Sequence, residues 1–143
     1  MPNGFHGSVQ KWEKMEAPFL EADPVLEKFA KAHSMSVGRN YHSWPERSLR
    51  WSSGKLNKLI QIYLKDEDRK TYCLWLCVTE DRDSKRYWKR QMFLDEVSWK
   101  DVYDNLEHHL EESRKTMELW SSAELEFASD IPSRTKRHLK GAV

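Results

Sequence analysis

Apolar and polar residues alternate between Ser48 and Leu94, and this alternation predicts four consecutive β-strands. Short segments rich in serine, glycine or charge separate them, at 53–54, 66–70 and 80–85. Because such connections are short, consecutive strands are expected to pair antiparallel as a meander. The predicted strands are 48–52, 55–65, 71–79 and 86–94.

A single register gathers most of the large apolar residues on one face of this sheet. It places Trp51 opposite Leu56 and Leu74 opposite Met92, and a slip by one residue would move every side chain to the other face. The opposite choice for the last strand would turn Lys89 inward, which favours the first. The predicted apolar face contains Leu49, Trp51, Leu56, Ile60, Ile62, Leu64, Tyr72, Leu74, Leu76, Val78, Trp88, Met92 and Leu94, with Lys58 and Arg90 at its rim.

Amphipathic helices are predicted on both sides of the meander. Asp23 is a good N-cap and Pro24 suits the first helical position, so a helix is expected over about 23–35. Ser98 and Asp101 fit a helix start, which predicts a long helix over about 99–120. The expected fold is α+β: a two-layer sandwich whose four-stranded antiparallel meander, about 48–94, carries both helices on one face.

Length and charge predict one domain followed by a basic tail. The chain of 143 residues suits a single α+β domain at 1–128. Arg134, Lys136, Arg137 and Lys140 give residues 134–143 a charge of +4 without an acid; removing it from the net charge of +1 leaves −3 for residues 1–133. We expect 129–143 to be a flexible tail, since terminal charge runs are commonly solvated.

Other features indicate a cytoplasmic protein with no membrane segment. No apolar run approaches the roughly 18 residues of a membrane span, and the N-terminus lacks the pattern of a secretory signal. Cys73 and Cys77 lie on one predicted strand, roughly 13 Å apart, which is too far for a disulfide between them. We expect two reduced thiols.

The sequence contains no motif that predicts catalysis, a cofactor or a metal site. It has no glycine-rich phosphate loop, no nucleophile elbow and no zinc framework. His108 and Glu112 share the spacing of metal ligands on a helix, but no further ligand accompanies them. Enzymatic activity therefore has no positive signal.

The candidate partner-binding residues lie in two places. Aromatic rings provide contact area at low entropic cost, and neighbouring amides and cations orient what binds. The open face of the sheet is predicted to display Arg50, Tyr63, Trp75, Tyr87, Lys89 and Gln91, beside Leu59, Gln61, Cys73, Cys77 and Phe93. The loop over 39–47 adds Tyr41, His42, Trp44 and Arg47, and such density on a loop is typical of functional sites.

These residues favour a small protein-binding module, of an adaptor, immunity or chaperone-like kind, or a homodimer formed through the open face. The alternative is a single-stranded nucleic-acid binder that uses the same face and the basic tail. The face could also be covered by the N-terminal segment. An enzyme with its site between the loop and the sheet stays a third hypothesis.

Overall fold

The computed structural model describes residues 7–41 and 44–127. The predicted tail at 129–143 and His42 lie outside this range. In chain order, the described elements are α1 (Val9–Ala32), β1 (Ser36–Tyr41), β2 (Trp44–Ser53), β3 (Leu56–Asp66), β4 (Thr71–Arg82), β5 (Lys85–Ser98), α2 (Trp99–Tyr103), α3 (Leu106–Glu118), a 3₁₀ turn (Ser122–Glu124) and β6 (Glu126–Phe127).

The predicted α+β class is confirmed, but the sheet is wider than the predicted meander. Within the described residues it has six antiparallel strands in the order β1-β2-β3-β4-β5-β6. The strand β1 extends the sheet beyond β2, and its sequence Ser-Val-Gly-Arg-Asn-Tyr has too few apolar residues to predict a strand. The strand β6 is only two residues long and pairs with Tyr87 and Trp88.

The first helix begins well before the predicted start at Asp23. Its N-cap is Ser8, whose Oγ accepts a hydrogen bond from the Lys11 amide at 3.0 Å, and the helix continues through Pro18 and Pro24. Burial explains this, because one apolar stripe packs on the sheet over the whole length and outweighs the cost of the prolines. The buried stripe contains Trp12, Met15, Phe19, Ala22, Leu26, Phe29 and Ala30.

The predicted long C-terminal helix is two helices in the structure. Ser98 caps α2 as expected, accepting a hydrogen bond from the Asp101 amide at 3.2 Å. The helix α2 ends at Tyr103, and α3 begins at Leu106 after a break at 104–105. Trp120 lies beyond the end of α3 and is still buried in the core.

Two of the three predicted strand registers keep the correct faces. Strands β3 and β4 pair as expected, with Ile62 opposite Leu74. Strands β2 and β3 are displaced by two residues, since Trp51 lies opposite Lys58 rather than Leu56. An even displacement preserves the side-chain alternation, so the apolar face of both strands is confirmed.

The predicted register of β5 was wrong. Cys77 pairs with Arg90, and Thr79 pairs with Trp88, so Trp88 and Arg90 lie on the face away from the helices. Met92 lies opposite Trp75 on that same face. The prediction had maximised apolar pairing, whereas the observed register follows from a two-residue turn at 83–84, which joins Arg82 directly to Lys85.

A register shift returns β5 to the core face further along. Trp75 pairs with Met92 while the preceding Leu74 pairs with Leu94, so Phe93 is an extra residue in the ladder. Leu94 therefore packs against the core, as predicted. Phe93, predicted on the open face, contacts the core instead, with its ring centroid 5.9 Å from that of His109.

The core lies between the helices and one face of the sheet. Its buried residues come from α1, the central strands, α2, α3 and the segment after α3. Along the described residues, no helix combines the length and the apolar character needed to cross a membrane.

Candidate functional site

The face of the sheet away from the helices contains a groove of about 510 Å³, a volume typical of ligand sites. It lies across β2, β3, β4 and β5, so its side chains are held by regular strands rather than by loops. The groove is lined by Ser36, Arg50, Trp51, Ser52, Asn57, Lys58, Leu59, Gln61, Trp75, Cys77, Thr79, Arg86, Trp88 and Arg90.

Strand pairing brings the middle of the groove together. Arg50 pairs with Leu59, Leu59 with Cys77, and Cys77 with Arg90, which forms one row across four strands. Residues in such a row project from the same face, because side chains alternate along every strand. The row therefore places one arginine on each side of an apolar and thiol centre.

Arg90 lies between two indole rings. The carbon at the centre of its guanidinium is 4.5 Å from the ring centroid of Trp75 and 4.5 Å from that of Trp88. Trp88 is two residues before Arg90 on β5, and Trp75 is two residues before its partner Cys77 on β4. Stacking on two aromatic faces stabilises the cation and limits the positions that its side chain can adopt.

The Arg90 guanidinium is partly removed from water. Its Nε atom is buried and has no hydrogen-bond acceptor among the described residues. Burial is the largest influence on this group and lowers its pKa, while Cys77 and Tyr63 act in the opposite direction. Arginine nevertheless keeps its charge in proteins, so the groove contains a positive charge with an unused donor.

The groove lining is positively charged. It includes Arg50, Lys58, Arg86 and Arg90, and no aspartate or glutamate. Only Arg86 has a described acidic partner, since its Nε is 3.0 Å from Oδ1 of Asp81. Like charges collected in a cleft focus the electrostatic field and attract anions.

A buried polar network adjoins the groove on the same face. The indole of Trp75 donates a hydrogen bond from Nε1 to the hydroxyl of Tyr63 at 2.7 Å. The Gln61 amide donates to the Glu46 carboxylate, and Tyr63, Gln61 and Glu46 are all buried. These contacts fix Trp75 in place, which keeps one wall of the Arg90 slot rigid.

The two thiols differ in environment and form no disulfide with each other, as the sequence predicted. Cys73 is fully buried, and burial, its largest influence, raises the pKa of its thiol. Its Sγ lies 3.4 Å from the Glu96 amide at the register shift in β5. Cys77 is partly exposed and lines the groove.

Three of the six open-face residues predicted as partner-binding lie on the groove side of the sheet. Arg50 and Trp75 line the groove itself, and Tyr63 supports Trp75. The other three, Tyr87, Lys89 and Gln91, were assigned to the wrong face.

These three residues belong to the helix side because of the register of β5. Tyr87 pairs with Glu80 and Gln91 with the buried Leu76. The Lys89 ammonium lies 4.6 Å from the Trp120 ring centroid and 3.1 Å from the Glu124 carboxylate. They cannot line the groove together with Trp75.

The predicted loop residues do not form one exposed cluster. Tyr41 and Trp44 pair across the connection from β1 to β2. The Trp44 indole packs on the core and donates to the Leu64 carbonyl at 3.0 Å. Arg47 is buried beneath α1, with only 1% of its side chain exposed. Its position serves contact with α1 rather than with a partner.

Sequence reasoning missed Trp88, Arg90 and Arg86 as groove residues. The signal that could have found them is Asp83-Ser84 taken as a two-residue hairpin turn, in which both residues have positive φ. That turn makes Arg82 and Lys85 partners and places Trp88 and Arg90 on the same face as Cys77. Apolar pairing alone gave the opposite result.

The chain has no match among protein-family models, curated proteins or solved structures. Along the described residues, no group of three or more histidine, cysteine, aspartate or glutamate side chains is placed to hold a metal ion.

Proposed function

We propose that this protein is a binding module that holds a segment of a partner protein in the groove. The observation that carries the proposal is the composition of the groove: two tryptophans around Arg90, an apolar centre at Leu59 and further cations, all on regular strands. Tryptophan and arginine are the residue types most enriched among the energetic centres of protein interfaces. A rigid scaffold also lowers the entropic cost of binding.

The charge of the groove favours a different protein over a second copy of this chain. A two-fold symmetric dimer through this face would place the same patch of each copy against the other. Arg50, Lys58, Arg86 and Arg90 of one copy would then meet the same four cations of its partner. Like charges brought together across an interface weaken association.

A single-stranded nucleic acid is the second candidate. The specific observation in its favour is the combination of indole rings and cations in one groove, because bases stack on rings while cations contact phosphates. The basic residues at 134–143 would extend this surface, as the sequence suggested. Against it, residues 1–133 carry a net charge of −3 by sequence, whereas nucleic-acid-binding domains are commonly basic.

Peptide selection from a random display library, followed by affinity measurement, tests the proposal. The informative variant is Trp88→Ala, which removes one wall of the groove. The matched control is Tyr87→Ala, because Tyr87 is the neighbouring aromatic residue on β5 and points to the opposite face. Thermal unfolding of both variants checks that the fold is retained.

Selected peptides should bind the wild type and Tyr87→Ala alike, and should bind Trp88→Ala at least about tenfold more weakly. Equal binding to all three proteins would place the site elsewhere and overturn the proposal. A labelled oligothymidine serves as the other arm. If it binds with steep salt dependence and needs Trp88, while no peptide is selected, the second candidate replaces the first.

A further inference from the structure

The geometry of Arg90 limits the kind of group that it can recognise. Both faces of the guanidinium are covered by indoles, each with its centroid 4.5 Å away. The N–H donors of a guanidinium lie in its plane, so a ligand must approach through the edge of the plane. Trp75 and Trp88 therefore form a slot that opens onto the donor edge.

The donor edge has capacity to spare. Nε of Arg90 is buried without an acceptor among the described residues, and no carboxylate lines the groove. A buried donor that lacks a partner costs free energy, and the cost is larger when the group is charged. An acceptor supplied by a ligand would remove this cost, which is a driving force for binding at this atom.

The structure assigns to Arg90 the recognition of a carboxylate on the partner segment, an inference that rests on the function proposed above. A carboxylate is planar and pairs with a guanidinium through two parallel hydrogen bonds in a common plane. It can therefore continue the guanidinium plane between the two indoles. A phosphate is tetrahedral and projects oxygens to both sides of that plane, where Trp75 and Trp88 stand.

The groove provides a second reason to expect an acidic segment. Arg50 is exposed, has no ion pair with a described residue and lies in the same row as Arg90, three strands away. At about 4.8 Å between strands, their backbones are separated by about 14 Å. An acidic segment can therefore contact both cations, with Arg90 in the slot and Arg50 at the exposed end.

Binding of blocked octapeptides to the full chain tests the inference. One peptide alternates glutamate with threonine, and its counterpart has glutamine in place of each glutamate. The variants are Arg90→Gln, which removes the cation, and Arg90→Lys, which keeps the charge but loses the planar pair of donors. The matched control is Arg86→Gln, because Arg86 lines the same groove but already pairs with Asp81.

The wild type should bind the glutamate peptide at least about tenfold more tightly than the glutamine peptide. Arg90→Gln should lose this preference, Arg90→Lys should recover only part of it, and Arg86→Gln should retain it. Circular dichroism melting establishes that each variant is folded. The inference is overturned if the wild type has no preference for glutamate or if Arg90→Gln keeps it.

Two further results separate this inference from the proposed function. Peptides selected from the library that depend on Trp88 but not on acidic residues would leave the proposed function intact and remove the carboxylate. Competition identifies the anion: acetate should displace the glutamate peptide at lower concentrations than inorganic phosphate does. The reverse order would assign the slot to phosphate and overturn the carboxylate.

Discussion

At the scale of single residues, Arg47 shows how a charged side chain can belong to the core. Its Nε and Nη2 donate to the Asp23 carboxylate at 2.7 and 3.2 Å, and its Nη1 donates to the Glu46 carbonyl at 3.0 Å. The Phe19 ring lies 5.5 Å from the guanidinium carbon. The pair joins the middle of α1 to β2, so Asp23 acts as an anchor rather than as a helix cap.

We predict that Arg47→Met lowers the free energy of unfolding by about 3–5 kcal/mol, because it leaves the buried Asp23 carboxylate without its main partner. Urea denaturation followed by circular dichroism measures the change. The matched control is Arg39→Met. Arg39 contacts the same carboxylate at 3.4 Å, but 49% of its side chain is exposed, so its loss should cost less than about 1 kcal/mol. Similar costs for both variants would contradict this account.

Burial of this pair could not be predicted from the sequence. Arg47 follows Trp44-Pro45-Glu46, a run that is typical of an exposed loop. Asp23 precedes a proline, as many helix caps do. Each local pattern was reasonable, but the contact joins residues 24 positions apart, and nothing in either segment encodes that distance.

At the scale of elements, the turn at 83–84 decides what the groove contains. The central strands were predicted correctly because their apolar residues alternate regularly, as in Ile60, Ile62 and Leu64. Strand β5 lacks this regularity, since Trp88 and Met92 face the groove whereas Leu94 faces the core. A register shift produces that change of face, and the extra residue Phe93 leaves no clear mark in the sequence.

The same turn gives a prediction about stability. Ser84 has a φ of 65°, a left-handed conformation that costs free energy for a residue with a side chain. We expect Ser84→Gly to raise the free energy of unfolding by about 0.5–1 kcal/mol, because glycine adopts this conformation readily. Chemical denaturation measures the gain.

The control for this prediction is Arg69→Gly in the turn between β3 and β4. Arg69 is exposed, and among the described residues of that turn the positive φ belongs to Lys70 instead. Glycine at position 69 adds freedom to the unfolded chain without relieving strain, so it should destabilise. A gain at both positions would show that conformation at Ser84 is not the cause.

At the scale of the whole molecule, the charge of the groove differs from the charge of the chain. The formal net charge is only +1, yet four cations and no acidic residue line the groove. This uneven distribution gives the protein a positive face without making it basic throughout. Long-range attraction of an anionic partner depends on such a local field rather than on net charge.

The same distribution predicts that the protein does not pair with itself through the groove. Sedimentation velocity at low ionic strength should show a monomer, because repulsion between the two sets of cations is least screened there. A dimer through the groove would have two recognisable properties. It would strengthen as salt is added, since added ions screen the repulsion, and Trp88→Ala would abolish it while Tyr87→Ala would not. A dimer with both properties would contradict the prediction and make a second copy of this chain the occupant of the groove.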